Sequence, residues 1–250
     1  MSYDIFSQYY DILTGNVGYE ERADYYCSLF SLCGIKKGIL LDLACGTGNM
    51  SVCFSGRGFE VIGVDSSVGM LSAARQKSMQ QGLDILYLCQ DMRSLDLYGT
   101  VDAAVCALDG LNHLPDEKSV RKAVAGVSLF MNDGGAFVFD VNTVYKHREI
   151  LGNNSFIYDC DEVFCAWQNC YDEKENRVDI SLDFFAENED GSYERSFEQL
   201  SERAYALEDI KLWLEDAGFE VMGIYDDMTN EPASESSERA VFLSKKKQRV

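Results

Sequence analysis

The pattern that most narrows the fold is an alternation of short apolar runs and helical stretches between residues 38 and 141. GILLDL is apolar at nearly every position, the composition of a strand buried on both faces. It runs directly into ACGTG and a helix beginning near Asn49. FEVIGVD, DILYLCQD, VDAAVCAL and GAFVFDVN read as further strands. Between them lie two helices: SVGMLSAARQKSMQQG, closed by Gly82, and EKSVRKAVAGVSLFM, ended by Asn132-Asp133-Gly134-Gly135. Strands alternating with helices demand parallel βαβ units with right-handed crossovers and helices on both faces.

The flanks differ. Residues 4–13 and 19–33 read as two helices, the second with acids in its first turn and Gly34 at its stop. After residue 150, FIYDCDEVFCAWQNCYD, NRVDISLDFFAE and SYERSFEQLSERAY read as three antiparallel strands inserted over 151–205. ALEDIKLWLEDAG then restores the helical pattern, followed by strands FEVMGIYD and RAVFLSK. The division expected is a cofactor domain of residues 1–150 and 206–250 and an inserted β lid of 151–205.

Charge excludes some functions. The net charge of -20 repels phosphates on average, so no nucleic-acid partner is expected. Lys245, Lys246, Lys247 and Arg249 read as a solvated tail past the last strand. The nine cysteines include no C-x-x-C, and the even spacing of Cys160, Cys165 and Cys170 matches no usual zinc pattern. Reduced thiols in a cytosol are the expectation, with no metal. MSYDIFSQYYDIL lacks the basic-then-apolar order of a signal peptide, and no apolar run approaches a membrane span.

In an open parallel sheet, ligands bind beyond the carboxyl ends of the strands. Gly46 and Gly48 permit a tight turn and close approach of a ligand. The dinucleotide pattern G-x-G-x-x-G needs a third glycine, where this chain has Ser51. An acid, Asp42, also precedes the loop. D-L-A-C-G-T-G suits S-adenosylmethionine better, a sulfonium with an ammonium, a carboxylate and no phosphate. Asp42 suits its amino-acid end, and the helix start after Gly48 its carboxylate. Asp65, ending the second strand, can accept from two ribose hydroxyls. Asp91, ending the third, can accept from an adenine amine, with the Met92 N–H beside it. Met70 either covers an adenine face or belongs to the helix core.

LLDLACGTG, VIGVDSS, CQDMRSL and VDAAVCALDGLNHL together resemble, in order and spacing, the motifs of class I S-adenosylmethionine-dependent methyltransferases. A bacterial small-molecule-type subfamily also opens with Y-D-x-F-x-x-x-Y-D-x-L, here Tyr3-Asp4, Phe6, Tyr10-Asp11 and Leu13, followed by Tyr19-Glu20. Its inserted strands end in E-R-A-Y, here Glu202 to Tyr205. The resemblance implies an α/β, Rossmann-like sheet of seven mostly parallel strands in the order 3-2-1-4-5-7-6, the last antiparallel. It implies that Asp42, Ala44, Gly46, Gly48, Asp65, Ser66, Met70, Asp91, Met92 and Leu108 line the cofactor, with Tyr10 and Tyr19 closing over it. It names the cofactor and not the acceptor.

Methyl transfer from a sulfonium is an in-line displacement with an activated leaving group, so alignment and exclusion of water dominate. A base is needed only where the acceptor atom carries a proton that must leave. Asp109, Asn112 and His113 follow the fourth strand, where the methyl group belongs. Asp109 and His113 are the catalytic candidates, His113 as base or, more plainly, as loop packing. The absence of N-P-P-Y or D-P-P-Y there disfavours planar amines. Asp140 and Asn142 fall on the same edge; His147 and Arg148 read as surface groups. Trp167, Tyr171, Phe184 and Phe185 give the insert an aromatic face, and Arg195 and Arg203 either meet an anionic acceptor or pair with nearby acids. The expected function is transfer to a small-molecule acceptor. An S-adenosylmethionine-binding protein with other chemistry or a sensing role, an NAD-linked oxidoreductase and an RNA methyltransferase are the alternatives.

Overall fold

The computed structural model describes residues 5–160 and 162–248. Tyr3, Asp4 and Arg249, named above, lie outside them. The main sheet holds β1 (Gly38–Leu43), β2 (Phe59–Asp65), β3 (Leu86–Cys89), β4 (Val101–Cys106) and β5 (Met131–Asn142). A second sheet follows as β6 (Ser155–Cys160), β7 (Val163–Asp172), β8 (Arg177–Glu187) and β9 (Tyr193–Arg203). β10 (Phe219–Asp226) and β11 (Arg239–Lys246) return to the first sheet. The helices are α1 (Phe6–Leu13), α2 (Tyr19–Leu32), α3 (Asn49–Gly56), α4 (Val68–Gln80), α5 (Glu117–Leu129) and α6 (Leu207–Asp216).

The main sheet runs β3-β2-β1-β4-β5-β11-β10. β3, β2, β1, β4 and β5 pair in parallel, and β11 lies antiparallel between β5 and β10. With β10 and β11 counted as its sixth and seventh strands, this is the expected order 3-2-1-4-5-7-6. Alternation along β1 explains its burial on both faces. Leu41 and Leu43 join Phe137, Phe139 and Phe242 in a core beneath α5 and α6. Leu40 joins Val61, Val138 and Val241 in the opposite core, beneath α2 and α3. Each such buried side chain contributes about 1.5–3 kcal/mol.

The insert has four strands rather than the three read from its sequence. The run from Phe156 to Asp172 folds back on itself, pairing Cys160 with Val163. The acids between them interrupt the apolar alternation that one long strand would need. Phe184 of β8 stacks on Tyr9 of α1 at 5.3 Å between ring centroids and meets Phe6 at 6.3 Å. Glu198 of β9 accepts the Phe6 amide at 2.7 Å. The insert therefore holds the first helix.

The basic segment is not all tail. Lys245 and Lys246 lie in β11, and Lys246 is buried, with Nζ bonded to Ser128 Oγ and set over the Phe219 ring. Its long apolar stem covers the core while the ammonium finds oxygen partners.

Candidate active site

A cavity of about 360 Å³ opens where β1, β2 and β4 end. Its lining includes Asp42, Ala44, Gly46, Asp65, Ser66, Met70, Asp91, Met92, Leu108, Tyr10 and Tyr19. Of the expected cofactor residues, Gly48 is not part of that lining. A Cβ on Gly48 would meet Tyr87 Oη at 2.6 Å and Ala74 Cβ at 2.9 Å. That crowding by α4 and β3 by itself requires a glycine where α3 begins. Gly46, by contrast, faces open space and adopts φ +54°, which frees its N–H for Asp65 Oδ2 at 3.0 Å.

The loop is held by backbone bonds to acids at the strand ends. Asp65 accepts from Gly46 and, through Oδ1, from the Ser67 amide at 2.8 Å. A carboxylate offers about four acceptor positions, so two remain for ligand hydroxyls. Burial raises the Asp65 carboxyl above its ordinary range despite those two bonds. Asp42 is buried in β1 and accepts from Ser51 Oγ at 2.6 Å. Burial pushes its carboxyl up to about 7, the Ser51 bond opposing and the Asp65 charge adding. Ser51 thus supplies a hydroxyl to Asp42 where a dinucleotide loop keeps a bare glycine. Asp91 caps the turn after β3 and pairs with Arg93, whose guanidinium holds its carboxyl below the usual range.

α1 closes over this loop. Asp11 accepts from Thr47 Oγ1 at 2.6 Å and Asn49 Nδ2 at 2.9 Å and pairs with Lys77 at 2.8 Å. Tyr19 Oη donates to Thr14 Oγ1 at 2.8 Å, fixing the second ring at the rim. Thr47, Asn49 and Phe6 also line the cavity, and sequence reasoning missed them. The Asp11 of the opening motif was their signal.

The other end of the cavity follows β4. Leu108 and Asp109 are consecutive non-glycine residues at φ +57° and +55°, a conformation costing about 1–3 kcal/mol each. Asp140, buried in β5, offsets this by accepting both amides at 2.8 Å. Burial alone would raise its carboxyl, but Arg239 and Arg22 outweigh burial and hold it below its ordinary range. Tyr26 and Arg239 donate to the same carboxylate. Arg239, from the far end of the chain, was not legible as a site residue.

His113 lines the cavity. Asp109 does not; its carboxylate pairs with Arg239 at 2.6 Å and stands 3.8 Å from His113 Nε2. Asn112 ties the turn to β5 and β9 through Asn142 O at 3.0 Å and Arg203 O at 2.9 Å. The E-R-A-Y segment grips the same turn. Tyr205 Oη donates to Leu114 O at 2.6 Å and Arg203 to Pro115 O at 3.1 Å. His147, expected at the surface, is fully buried in a π-helical turn, Lys146–Leu151, with Nε2 at 3.3 Å from Glu202. Buried carboxylates require partners, and His147 is one. Arg148 is exposed and pairs with Glu149. Arg195 pairs with Asp183 and Arg203 with Glu175, so both answer nearby acids. No residue of 151–205 lines the cavity among the described residues.

The sheet order is that of a class I methyltransferase, and the glycine loop and Asp42, Asp65 and Asp91 meet at its carboxyl edge. A methyltransferase-domain family model matches residues 40–135. A protein of Geobacillus sp. (strain WCH70), named as a methyltransferase, is 33% identical over 98% of this chain and 100% of its own length. The structure of an S-adenosylmethionine-dependent methyltransferase from Clostridium acetobutylicum ATCC 824 has 32% identity and a TM-score of 0.87 over 96% of both chains. An amino pentose methyltransferase from Micromonospora echinaspora, solved with S-adenosylmethionine bound, shares the fold at 20% identity and a TM-score of 0.75, covering 95% of this chain and 96% of its own. The chain belongs to the class I S-adenosylmethionine-dependent methyltransferase family and is an enzyme that uses that cofactor.

Proposed function

We propose that the enzyme methylates a small-molecule acceptor bound at the β4 end of the cavity, between the Ala107–Pro115 turn and α1. The observation that carries this reading is the shape of the site. The cavity of about 360 Å³ falls in the range of small-ligand pockets, roughly 300–1,000 Å³. It lies under α1 and beside a turn clamped by E-R-A-Y, in a chain whose net charge of -20 repels phosphates on average. A protein of the same fold is named as an amino pentose methyltransferase.

Bound there, S-adenosylmethionine supplies an electrophilic methyl group. Asp65 receives the ribose hydroxyls, Asp42 faces the amino-acid end, and Asp91 with the Met92 amide meets the adenine, Met70 covering one face. Tyr10 and Tyr19 exclude water over the loop. His113 stands at the acceptor end as the group able to take a proton. Asp109 anchors the turn through Arg239 and acts on the reaction through His113. Residues 151–205 form a lid subdomain that works through α1, which Phe184 and Glu198 hold in place, rather than by lining the pocket.

Methyl-labelled S-adenosylmethionine, incubated with the enzyme and separate fractions of low-molecular-mass metabolites, RNA and protein, tests this. Label in the small-molecule fraction with release of S-adenosylhomocysteine is expected. Label confined to RNA or protein contradicts the acceptor class. Saturable binding without turnover on any fraction favours a sensing role.

A further inference from the structure

We propose that Glu202, brought to the site by the last strand of the inserted sheet, is a positioning residue for His113, and that His113 so held takes a proton from the acceptor's nucleophilic atom. The proposal rests on the acceptor reading above and adds to it that the attacked atom carries a proton.

Three observations meet here. Asp109, His113 and Glu202 each offer an atom within 4.8 Å of the other two, and His113 lines the acceptor end of the cavity. Both carboxylates are fixed from behind. Glu202 is buried and accepts from Asn142 Nδ2 at 2.9 Å, with His147 Nε2 at 3.3 Å. Asp109 is held by Arg239 at 2.6 Å. The strand carrying Glu202 is itself tied to the His113 turn through Arg203 O and Asn112. Glu202 therefore cannot shift without moving the turn.

Asp109 lies on the ring's own turn and Glu202 on β9, and Arg239 of β11 pairs with Asp109 and with Asp140 of β5. His113 Nε2 stands 3.8 Å from Asp109; in the proposed arrangement the neutral ring keeps its proton on Nε2 and turns the Nδ1 lone pair to the acceptor. That lone pair takes the acceptor's proton, the ring becomes an imidazolium, and the electron pair left on the acceptor atom is free to attack. The carboxylates orient the ring and stabilise its charge without being protonated. Separations of 3.8 Å to Asp109 and within 4.8 Å to Glu202 are compatible with this role, since catalytic hydrogen bonds tighten on substrate binding.

The chain has two histidines, so protein labelled with ¹⁵N-histidine yields two imidazole spectra, assigned with His113→Gln. Long-range ¹H–¹⁵N correlation, with S-adenosylhomocysteine saturating, reads the tautomer of each ring without an identified acceptor. In wild type the neutral His113 ring is expected to carry its proton on Nε2 in more than about nine-tenths of molecules. Glu202→Gln, whose amide can donate toward the ring, should convert this to a mixture, and Glu202→Asp should restore it. An unchanged His113 tautomer in Glu202→Gln, with only His147 responding, overturns the proposal. If Glu202→Gln does not fold, Glu202→Ala decides by the same reading: a mixture of tautomers is expected, and an unchanged His113 tautomer overturns the proposal. Affinity for S-adenosylhomocysteine in Glu202→Gln should stay within about twofold of wild type. Failure of wild type itself to bind it would instead sink the reading of the cavity.

Discussion

The two ends of the cavity are built by different means. At the cofactor end, the polar bonds to Asp65 come from backbone amides of the glycine loop and of the residue starting α4. From a distance, α1 reaches in through Asp11 and α2 brings Tyr19 to the rim. At the acceptor end, Asp140 is met by Arg239 from 99 residues away, and Asn142 meets Glu202 across 60. The turn after β4 is shaped by side chains from β5, β9 and β11. The first end is a local motif that any chain with the right strand, loop and helix reproduces. The second is assembled by the whole fold, so its chemistry can vary between relatives while the cofactor stays the same.

Mutations that break the distant network should cost the most. Arg239→Leu leaves Asp140 and Asp109 without their main partner, and loss of one member of a buried pair costs about 3–5 kcal/mol. Denaturant unfolding should show that loss. Because Asp140 is held below its ordinary range, its contribution is present above the unfolded carboxylate value and disappears as pH falls through the folded one. The wild-type advantage over Arg239→Leu should therefore shrink in acid. A change under about 1 kcal/mol near neutrality would mean that the network is not what holds the turn.

The link between insert and first helix comes next. Phe184→Ala removes the ring packed on Tyr9 and Phe6 and should cost about 3 kcal/mol. Hydrogen exchange should locate the loosening in α1 and the insert, with the strands β1, β2 and β4 unaffected. Equal loosening throughout the main sheet would contradict a lid that works through α1.

The smallest effect lies at the cofactor end. With the Asp42 carboxyl near 7, about half of it is protonated at neutral pH. Because the folded value lies above the unfolded one, the stability tied to its bound proton is lost as pH rises toward and past 7. An ammonium beside it favours the carboxylate. Binding of S-adenosylmethionine at pH 7 should release about half a proton, read by calorimetry in buffers of different ionisation enthalpy. Asp42→Asn should abolish the release. No proton release in wild type would move the amino-acid end away from Asp42.

The same contrast explains what could be read in advance. The sheet order was legible because apolar runs and glycines are local signals, and the resemblance supplied the strand numbering. That Asp42, Asp65 and Asp91 line the cavity was legible because each falls at or just beside the carboxyl end of a strand. That Ala74 and Tyr87 crowd the Gly48 Cα was not legible, because both come from later segments. His147 and Lys246 looked exposed because charge suggests solvent, yet each has a buried partner contributed from a remote segment. Arg239 gave no signal at all, since only the antiparallel placement of β11 brings it beside Asp140. The insert's extra hairpin was hidden by reading through two acids as though the strand continued.

The central claim is tested most directly by calorimetric titration of wild type and Asp65→Ala with S-adenosylmethionine and, separately, with NADH. Saturable binding of the first ligand alone, weakened about 100-fold or more in the variant, is the predicted result, since about two charge-assisted bonds to the ribose are lost together with the anchor of the glycine loop. Binding of NADH alone, or S-adenosylmethionine affinity indifferent to Asp65, would contradict it.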